Sequence, residues 1–558
     1  GLLPAVIALV SGWLVALLGP AGSDLVLPVV VLLGVVFLLS QLSGPLARLV
    51  ADVVGRRLGA DLQRRLITAL ARPVGVGPLL AREVRADVGR ARAVVTGPVD
   101  ARDTLVAWTT VAVAKAQALS CVLVLLWFRP LPALLLAAAY FGFAAVLTTE
   151  YRDRQLAAYG ADESRRRADY LRDLALTGAA AKDVRVFGLR RWLIDHHARS
   201  WPDQRVRRRS FAATSALVVT AVAVAAAHAF VLIQLGSEVV AGRMSPGALT
   251  VFTSAVAGVS GAVVLTMEVI HLHRGRAAVR AAVSAERRLD RSAAESGVAG
   301  PSGWRTIRFE GVGFRYPGAD AWVLRYLDLT VESGRSLAVV GVNGAGKSSL
   351  LKLLLRLHHP AEGRITVDGV DLAGLDPMWW RDQVSAVFQS PNRYPATLAD
   401  NIAYGAPRRP AGRADLDRAA HLAGLTDLVA ALPRGYDTVL STRYPGGVDL
   451  SGGQWQRVAL ARAVRAVDAG ARLLALDEPT AALDVRAEAA FNDRVMALPG
   501  PVTTVLVSHR FAAVRRADRI VVLDGGRVVE DGDHEALMSV GGTYAGMFAA
   551  QSERFGVR

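Results

Sequence analysis

Gly341-Val342-Asn343-Gly344-Ala345-Gly346-Lys347-Ser348 lies between an apolar, β-compatible run, Ser336 to Gly341, and a helix-forming run, Ser348 to Leu357. A glycine loop that leaves a strand and enters a helix lets backbone N–H groups converge on phosphates. The helix dipole favours the same negative charge. In that frame Lys347 reaches the β- and γ-phosphates of a nucleoside triphosphate, and the Ser348 hydroxyl ligates Mg²⁺. Gly341, Asn343, Gly344, Ala345, Gly346 and the hydroxyl-bearing Ser349 complete the expected phosphate cradle. The stretch by itself predicts triphosphate binding and nothing finer.

Further along, Leu473 to Leu476 form a continuous apolar run, the pattern of a buried parallel strand. It ends in Asp477, placed to hold Mg²⁺ through its water shell, and Glu478, placed as general base for an attacking water. Between the two stretches stands Leu450-Ser451-Gly452-Gly453-Gln454, ahead of the good helix formers Val458 to Val464. Ser451, Gly452, Gly453 and Gln454 thus present a second helix N-terminus to phosphate.

Leu450 to Gln454, set between the phosphate loop and the Asp477-Glu478 strand end, resembles the signature of the ATP-binding cassette (ABC) family. The resemblance implies further roles, position by position. Tyr316, in Phe314-Arg315-Tyr316-Pro317, matches the aromatic that stacks on adenine. Gln389 matches the residue that touches Mg²⁺ and the attacking water, and His509 the switch histidine that contacts the γ-phosphate. Asp484 matches the loop that spans the cassette dimer. In this family the signature completes the nucleotide site of a second cassette, so one chain is half of a machine. The stretch before the signature, Ser441-Thr442-Arg443-Tyr444-Pro445-Gly446-Gly447, lacks the two glutamates usual in exporters. Every catalytic position is intact, which favours a homodimer, or a heterodimer whose partner carries any defect.

At 558 residues, two to four structural units are expected. Hydrophobic content is 52% and the mean hydropathy is positive at +0.32, both high for a soluble protein. The net charge is +16, carried mostly by arginines between apolar stretches, which favours membrane loops over a nucleic-acid partner. Its single cysteine, Cys121, excludes an internal disulfide and a Cys-based metal cluster and is expected in the core or facing lipid. The chain begins at Gly1 inside an apolar stretch without an initiator Met, so a longer natural N-terminus is expected.

A bilayer core needs about 20 mostly apolar residues per helix. Candidate spans are 2–21, 25–46, 105–128, 130–149, 211–236 and 247–272. The first pair is joined by a turn around Gly19 to Asp24, the second at Arg129-Pro130. Arginines cluster after the second, fourth and sixth spans, so both ends and both long loops are expected in the cytoplasm. The fold expected is a multidomain membrane protein. A helical six-span domain over 1–274 and a linker over 275–303 precede an α/β P-loop ATPase domain with a helical subdomain over 304–545.

The loops 47–104 and 150–210 are rich in Ala, Leu, Arg and Glu and poor in Pro, so they read as helical extensions of the spans. That arrangement resembles the exporter type, whose long helices carry short coupling helices to the ATPase. Ala181 to Leu189 reads as the turn of the second loop, or as an ordinary amphipathic helix end. Lys115, inside the third span, is either a cargo-cavity residue or one that snorkels to the inner interface. His228, His271 and His273 have no companion ligand at metal spacing and read as structural.

The resemblance therefore implies an ATP-hydrolysing transporter with ATP and Mg²⁺ as cofactors, working as a dimer in a lipid bilayer by alternating access. An exporter of amphipathic small molecules, lipids or peptides is the leading expectation. An importer of siderophore-like cargo on the same fold, or a regulatory, channel-like ABC protein, are the alternatives. An Arg-rich, Lys-poor composition points to a bacterial plasma membrane, multi-pass, with the ATPase in the cytoplasm.

Overall fold

The computed structural model describes residues 2–18, 24–95, 101–160, 162–176, 180–200, 203–263, 267–293, 297–301, 303–479, 491, 493–494 and 502–555. They form two compact units, one of Gly1–Thr68 with Ala86–Glu286, the other of Ala69–Arg85 with Arg287–Arg558.

The first unit is helical. Among the described residues four helical stretches are long and apolar enough to cross a bilayer: Val26–Ala71, Ala101–Trp127, Pro130–Thr149 and Ser215–Val240. The expected sixth span differs. The helix Leu3–Leu17 lies within the expected first span 2–21. The expected turn at Gly19 to Asp24 lies, except for Asp24, outside the described residues. The sixth span is not one helix over 247–272. Pro246–Val259 passes into a 3₁₀ turn, Ser260–Ala262, Val263 leaves helical geometry at φ −94° and ψ 85°, and a new helix covers Met267–Ala293.

Glycines explain how the turn packs. A Cβ on Gly258 would collide with Cys121 Sγ, and one on Gly261 would lie 3.2 Å from the Ala114 carbonyl oxygen. The helix Ala101–Phe128 therefore approaches the broken one at its backbone. Cys121 is buried there with Val122, Leu125, Phe252 and Val259, a core position. Helices Ala101–Phe128, Pro130–Gly160 and Asp203–Val240 run to 28, 31 and 38 residues, well beyond the membrane thickness. In the second long loop, Ala181–Val186 is a single helical piece, and Phe187 after it is 70% exposed. Lys115 is exposed on its helix. His228 Nδ1 lies 3.0 Å from the Val224 carbonyl, so Nδ1 carries the proton. Nε2 then accepts from the Tyr140 hydroxyl at 3.3 Å, and the ring is satisfied within its helix bundle.

The second unit holds two sheets. The smaller is antiparallel in the order β2-β1-β4-β5, with β1 Thr306–Phe314, β2 Leu324–Glu332, β4 Glu362–Val367 and β5 Val370–Asp371. The larger runs β10-β9-β3-β8-β7-β6, with β3 Ser336–Val340, β6 Val384–Val387, β7 Leu473–Asp477, β8 Thr503–Val507, β9 Arg519–Asp524 and β10 Arg527–Gly532. All its pairings are parallel except β10 with β9. Alternation along β7 shows why the strand is apolar throughout. Leu473 and Ala475 enter the core between the two sheets, while Leu474 and Leu476 face a second core built on the helix Gly452–Asp468. That second core, with Leu398, Ile402, Ala419, Leu425 and Trp455, is the helical subdomain.

Two boundaries depart from expectation. The helix Met267–Ala293 fills much of the expected linker 275–303, and Val298 beyond it is built in, donating to the Gly374 carbonyl at 3.0 Å and accepting from Asp376 N–H at 2.8 Å. The segment Ala69–Arg85, expected with the membrane domain, packs with the second unit. Val76 N–H donates to the Leu357 carbonyl at 2.8 Å, and Arg381 Nη2 donates to the Val74 carbonyl at 3.1 Å. Its peptide groups, together with the ion pairs Arg72–Asp290 and Glu83–Arg288, join partners far apart in sequence, so no local pattern marks the placement.

Candidate functional site

The parallel register sets the site. Val339 of β3 is level with Val507 of β8, Val507 with Asp477 of β7, and Leu476 with Val387 of β6. Four strands thus end along one carboxyl edge, the place where open α/β sheets bind ligands. The residues that follow are the glycine loop, His509, Glu478 and Gln389.

Backbone conformation requires glycine in that loop. Gly346 sits at φ +102°, and a Cβ there would lie 2.6 Å from Leu324 Cδ2 and 3.0 Å from the Val323 carbonyl oxygen. The helix Lys347–Leu354 starts immediately after it, with Leu350, Leu351, Leu353 and Leu354 buried in the core. Lys347 is itself buried, and Nζ donates to the Gly341 and Val342 carbonyls at 2.8 and 3.0 Å. Its ammonium is therefore already pointed into the loop. Burial lowers its pKa, opposed by the charges of Glu478 and Asp477.

Ser348 is exposed, and its hydroxyl donates to Asp477 Oδ1 at 3.0 Å. Burial raises the Asp477 pKa, while the Ser348 hydrogen bond and the nearby Lys352 and Lys347 charges oppose it and Glu478 adds to it. A hydroxyl and a carboxylate oxygen side by side, next to a phosphate cradle, are the hard oxygen donors that suit Mg²⁺ held largely by phosphate and water. The donor set fits the metal.

Glu478 takes φ +48°, a left-handed backbone rare for this residue type, and its N–H is held by the Val507 carbonyl at 2.9 Å. This turn puts its carboxylate between two expected partners. Gln389 Nε2 donates to Oε2 at 2.9 Å, and His509 Nδ1 lies 3.3 Å from Oε1. Gln389, Glu478 and His509 form one cluster, with Asp477, Ser348 and Lys347 beside it.

Tyr316 sits on the helix side of the loop. Its hydroxyl lies 2.9 Å from Ser349 Oγ and accepts from Lys352 Nζ at 3.1 Å. Ser349 is buried, so its hydroxyl serves this contact, unlike the outward Ser348. Ser451 caps the helix Gly452–Asp468 reciprocally. Its N–H donates to Gln454 Oε1 at 2.8 Å, and its hydroxyl accepts from Gln454 N–H at 3.3 Å. Gln454 is thereby tied to the cap, with Gly452 and Gly453 between as the helix's opening turn. Asp484 lies outside the described residues. One residue at the site escaped the sequence reading. Gln551, on the helix Thr543–Phe555, bonds the backbone on both sides of Arg510, next to His509. No motif marks it, and only its position in the fold finds it.

Residues 324–481 match the ABC transporter domain family. An ATP-dependent lipid A-core flippase of Alkalilimnicola ehrlichii is 42% identical over 245 residues, 44% of this chain and 40% of that protein. A mycobactin import ATP-binding/permease protein of Mycolicibacterium thermoresistibile is 42% identical over 265 residues, 48% and 42% of the two chains. An ATP-dependent lipid A-core flippase of Chromobacterium violaceum is 35% identical over 361 residues, 64% and 60%. The matches to the first two span about two fifths of each relative's length. Among solved structures, a bacterial Atm1-family ABC exporter with ATP bound superposes with a TM-score of 0.73 at 25% identity. That match covers 98% of this chain and 96% of the other.

Proposed function

We propose that this chain, an ABC-family half-transporter in the exporter-type fold, hydrolyses ATP to drive an amphipathic cargo across a lipid bilayer. The observation that carries the reading is the Glu478 carboxylate, held between Gln389 and His509 at the strand edge that bears the glycine loop. A carboxylate so placed can take a proton from a water aligned on the γ-phosphate. Lys347 would bind the phosphates, and Gly341, Asn343, Gly344, Ala345 and Gly346 would cradle them with backbone N–H groups. Ser348, Asp477 and Gln389 would hold Mg²⁺, which when bound neutralises charge developing on the phosphoryl oxygens. Tyr316 would face the adenine.

Ser451, Gly452, Gly453 and Gln454 would complete the nucleotide site of a second cassette, so the working unit is a dimer, preferably of two copies of this chain. Asp484 would serve the same interface. The exposed apolar residues of the first unit, among them Leu27, Val31, Leu38, Leu39 and Ile233, suit a lipid environment. The arginine-rich loops favour a plasma-membrane orientation with the ATPase in the cytoplasm.

A second direction has one observation behind it, the 42% identity to a protein named for mycobactin import. Inverted membrane vesicles separate the two. ATP-dependent accumulation of an amphipathic probe, abolished by Glu478→Gln, is the result expected of an exporter. ATP-dependent loss of preloaded probe from those vesicles is that of an importer. Absence of both movements would contradict the transport reading.

A further inference from the structure

β8 ends at Val507, so the backbone around His509 lies beyond the sheet's hydrogen-bond ladder. The helix that follows, Phe511–Val514, has Arg510 at its N-cap, and that side chain makes no capping hydrogen bond. A residue far along the chain meets both needs. Gln551 Nε2 donates to the His509 carbonyl at 2.9 Å, and its Oε1 accepts the Phe511 N–H at 2.8 Å. One side-chain amide thus fixes the peptide groups on either side of Arg510.

The helix that carries Gln551 is itself anchored. Tyr544 is fully buried, its N–H donates to Glu530 Oε2 at 2.9 Å, and its hydroxyl lies 2.8 Å from His534 Nδ1. Tyr544 and Phe548 both meet the Phe511 ring edge-on, at centroid distances of 5.3 and 5.5 Å. The loop is therefore gripped twice by this helix, through an aromatic cluster at Phe511 and through the amide at Gln551. The His509 side chain is half exposed, so its aim at Glu478 is set by the backbone beneath it.

We propose that Gln551 is a positioning residue for ATP hydrolysis. Its amide sets the His509 loop and so holds the imidazole against Glu478. The inference rests on the hydrolytic reading of the Glu478 cluster given above. It does not need Gln551 to touch the nucleotide. An amide suits the place because it offers a donor and an acceptor from one planar group. A carboxylate would keep the acceptor for Phe511 and set a negative charge against the His509 carbonyl. A methionine would keep the length and lose both bonds.

The test compares the full-length chain with Gln551→Met, Gln551→Glu, His509→Ala and the Gln551→Met/His509→Ala double variant, all in lipid nanodiscs. A displacement of about 1 Å at a reacting centre costs as much as about 100-fold. Gln551→Met and Gln551→Glu are expected to lower kcat by about tenfold or more with KM for ATP and the thermal midpoint unchanged. In the His509→Ala background Gln551→Met should change kcat less than about twofold, because the residues act as a unit. Amide hydrogen exchange at Phe511 should be faster in Gln551→Met than in the parent. An unchanged kcat, or the same fold-loss with and without His509, overturns the proposal. Equal exchange at Phe511 overturns it too, and is read whether or not the chain hydrolyses ATP. A parent rate no higher than that of Glu478→Gln would instead count against the hydrolytic reading itself.

Discussion

Gln389 donates its side-chain amide to Glu478 Oε2 at 2.9 Å, joining the ends of β6 and β7 across 89 residues of sequence. The bond fixes the Glu478 carboxylate, whose backbone is already turned into the left-handed region at φ +48°. Removing the amide by Gln389→Ala leaves that carboxylate free to swing. We expect kcat to fall by about 10- to 100-fold, the usual size of a lost orientation. Equilibrium binding of ATP should change much less. Single-turnover hydrolysis beside nucleotide titration checks the split, and an equal loss in both would contradict it.

Gly346→Ala tests the loop's backbone. At φ +102° an added Cβ is strained, and it would press on the Val323 carbonyl and the buried Leu324. We expect loss of ATP binding and a destabilisation of the ATPase unit by about 1–3 kcal/mol. Calorimetry of the variant reads the second effect separately from the first.

Lys347 predicts an alkaline limit to nucleotide binding. Burial holds its pKa below the ordinary lysine value of about 10.4, so the charge is lost at a lower pH than on an exposed lysine. The phosphate-binding form is the protonated one, so affinity for ATP falls as pH rises, and at a lower pH than an exposed lysine would set. Fluorescent-nucleotide titrations from pH 7 to 10.5 measure it, and a flat profile would contradict the assignment.

Phe187 is 70% exposed after the short helix Ala181–Val186, at the turn of the second long loop. If that turn couples the ATPase to the membrane domain, Phe187→Ala lowers cargo moved per ATP hydrolysed by severalfold while ATPase activity persists. An unchanged ratio in proteoliposomes would return the turn to an ordinary helix end.

Much of the second unit was legible because phosphate chemistry dictates both residue type and order. A loop that must bring backbone N–H groups to phosphate needs glycine, and a strand buried on both faces must read Leu473 to Leu476. The membrane half was less legible. Hydropathy stays high through Gly258 and Gly261, so an apolar window reads one helix where the chain turns at Ser260–Val263. Those two glycines were the available signal, since each admits the helix Ala101–Phe128 to within backbone contact. The placement of Ala69–Arg85 was hidden because Val74 and Val76 act through their peptide groups, while Arg72 and Glu83 pair with Asp290 and Arg288, 218 and 205 residues away. Gln551 was invisible for another reason. It acts on peptide groups 40 and 42 residues away, which no local pattern encodes.

The central claim is hydrolysis at the Glu478 cluster, and the most direct measurement is Mg²⁺-ATPase activity of this chain purified alone in lipid nanodiscs, beside Glu478→Gln. Loss of the general base costs about 10²- to 10⁴-fold. The account predicts steady turnover by the parent and a fall of at least about 100-fold in the variant, with ATP still bound. Equal rates in the two folded proteins would contradict it.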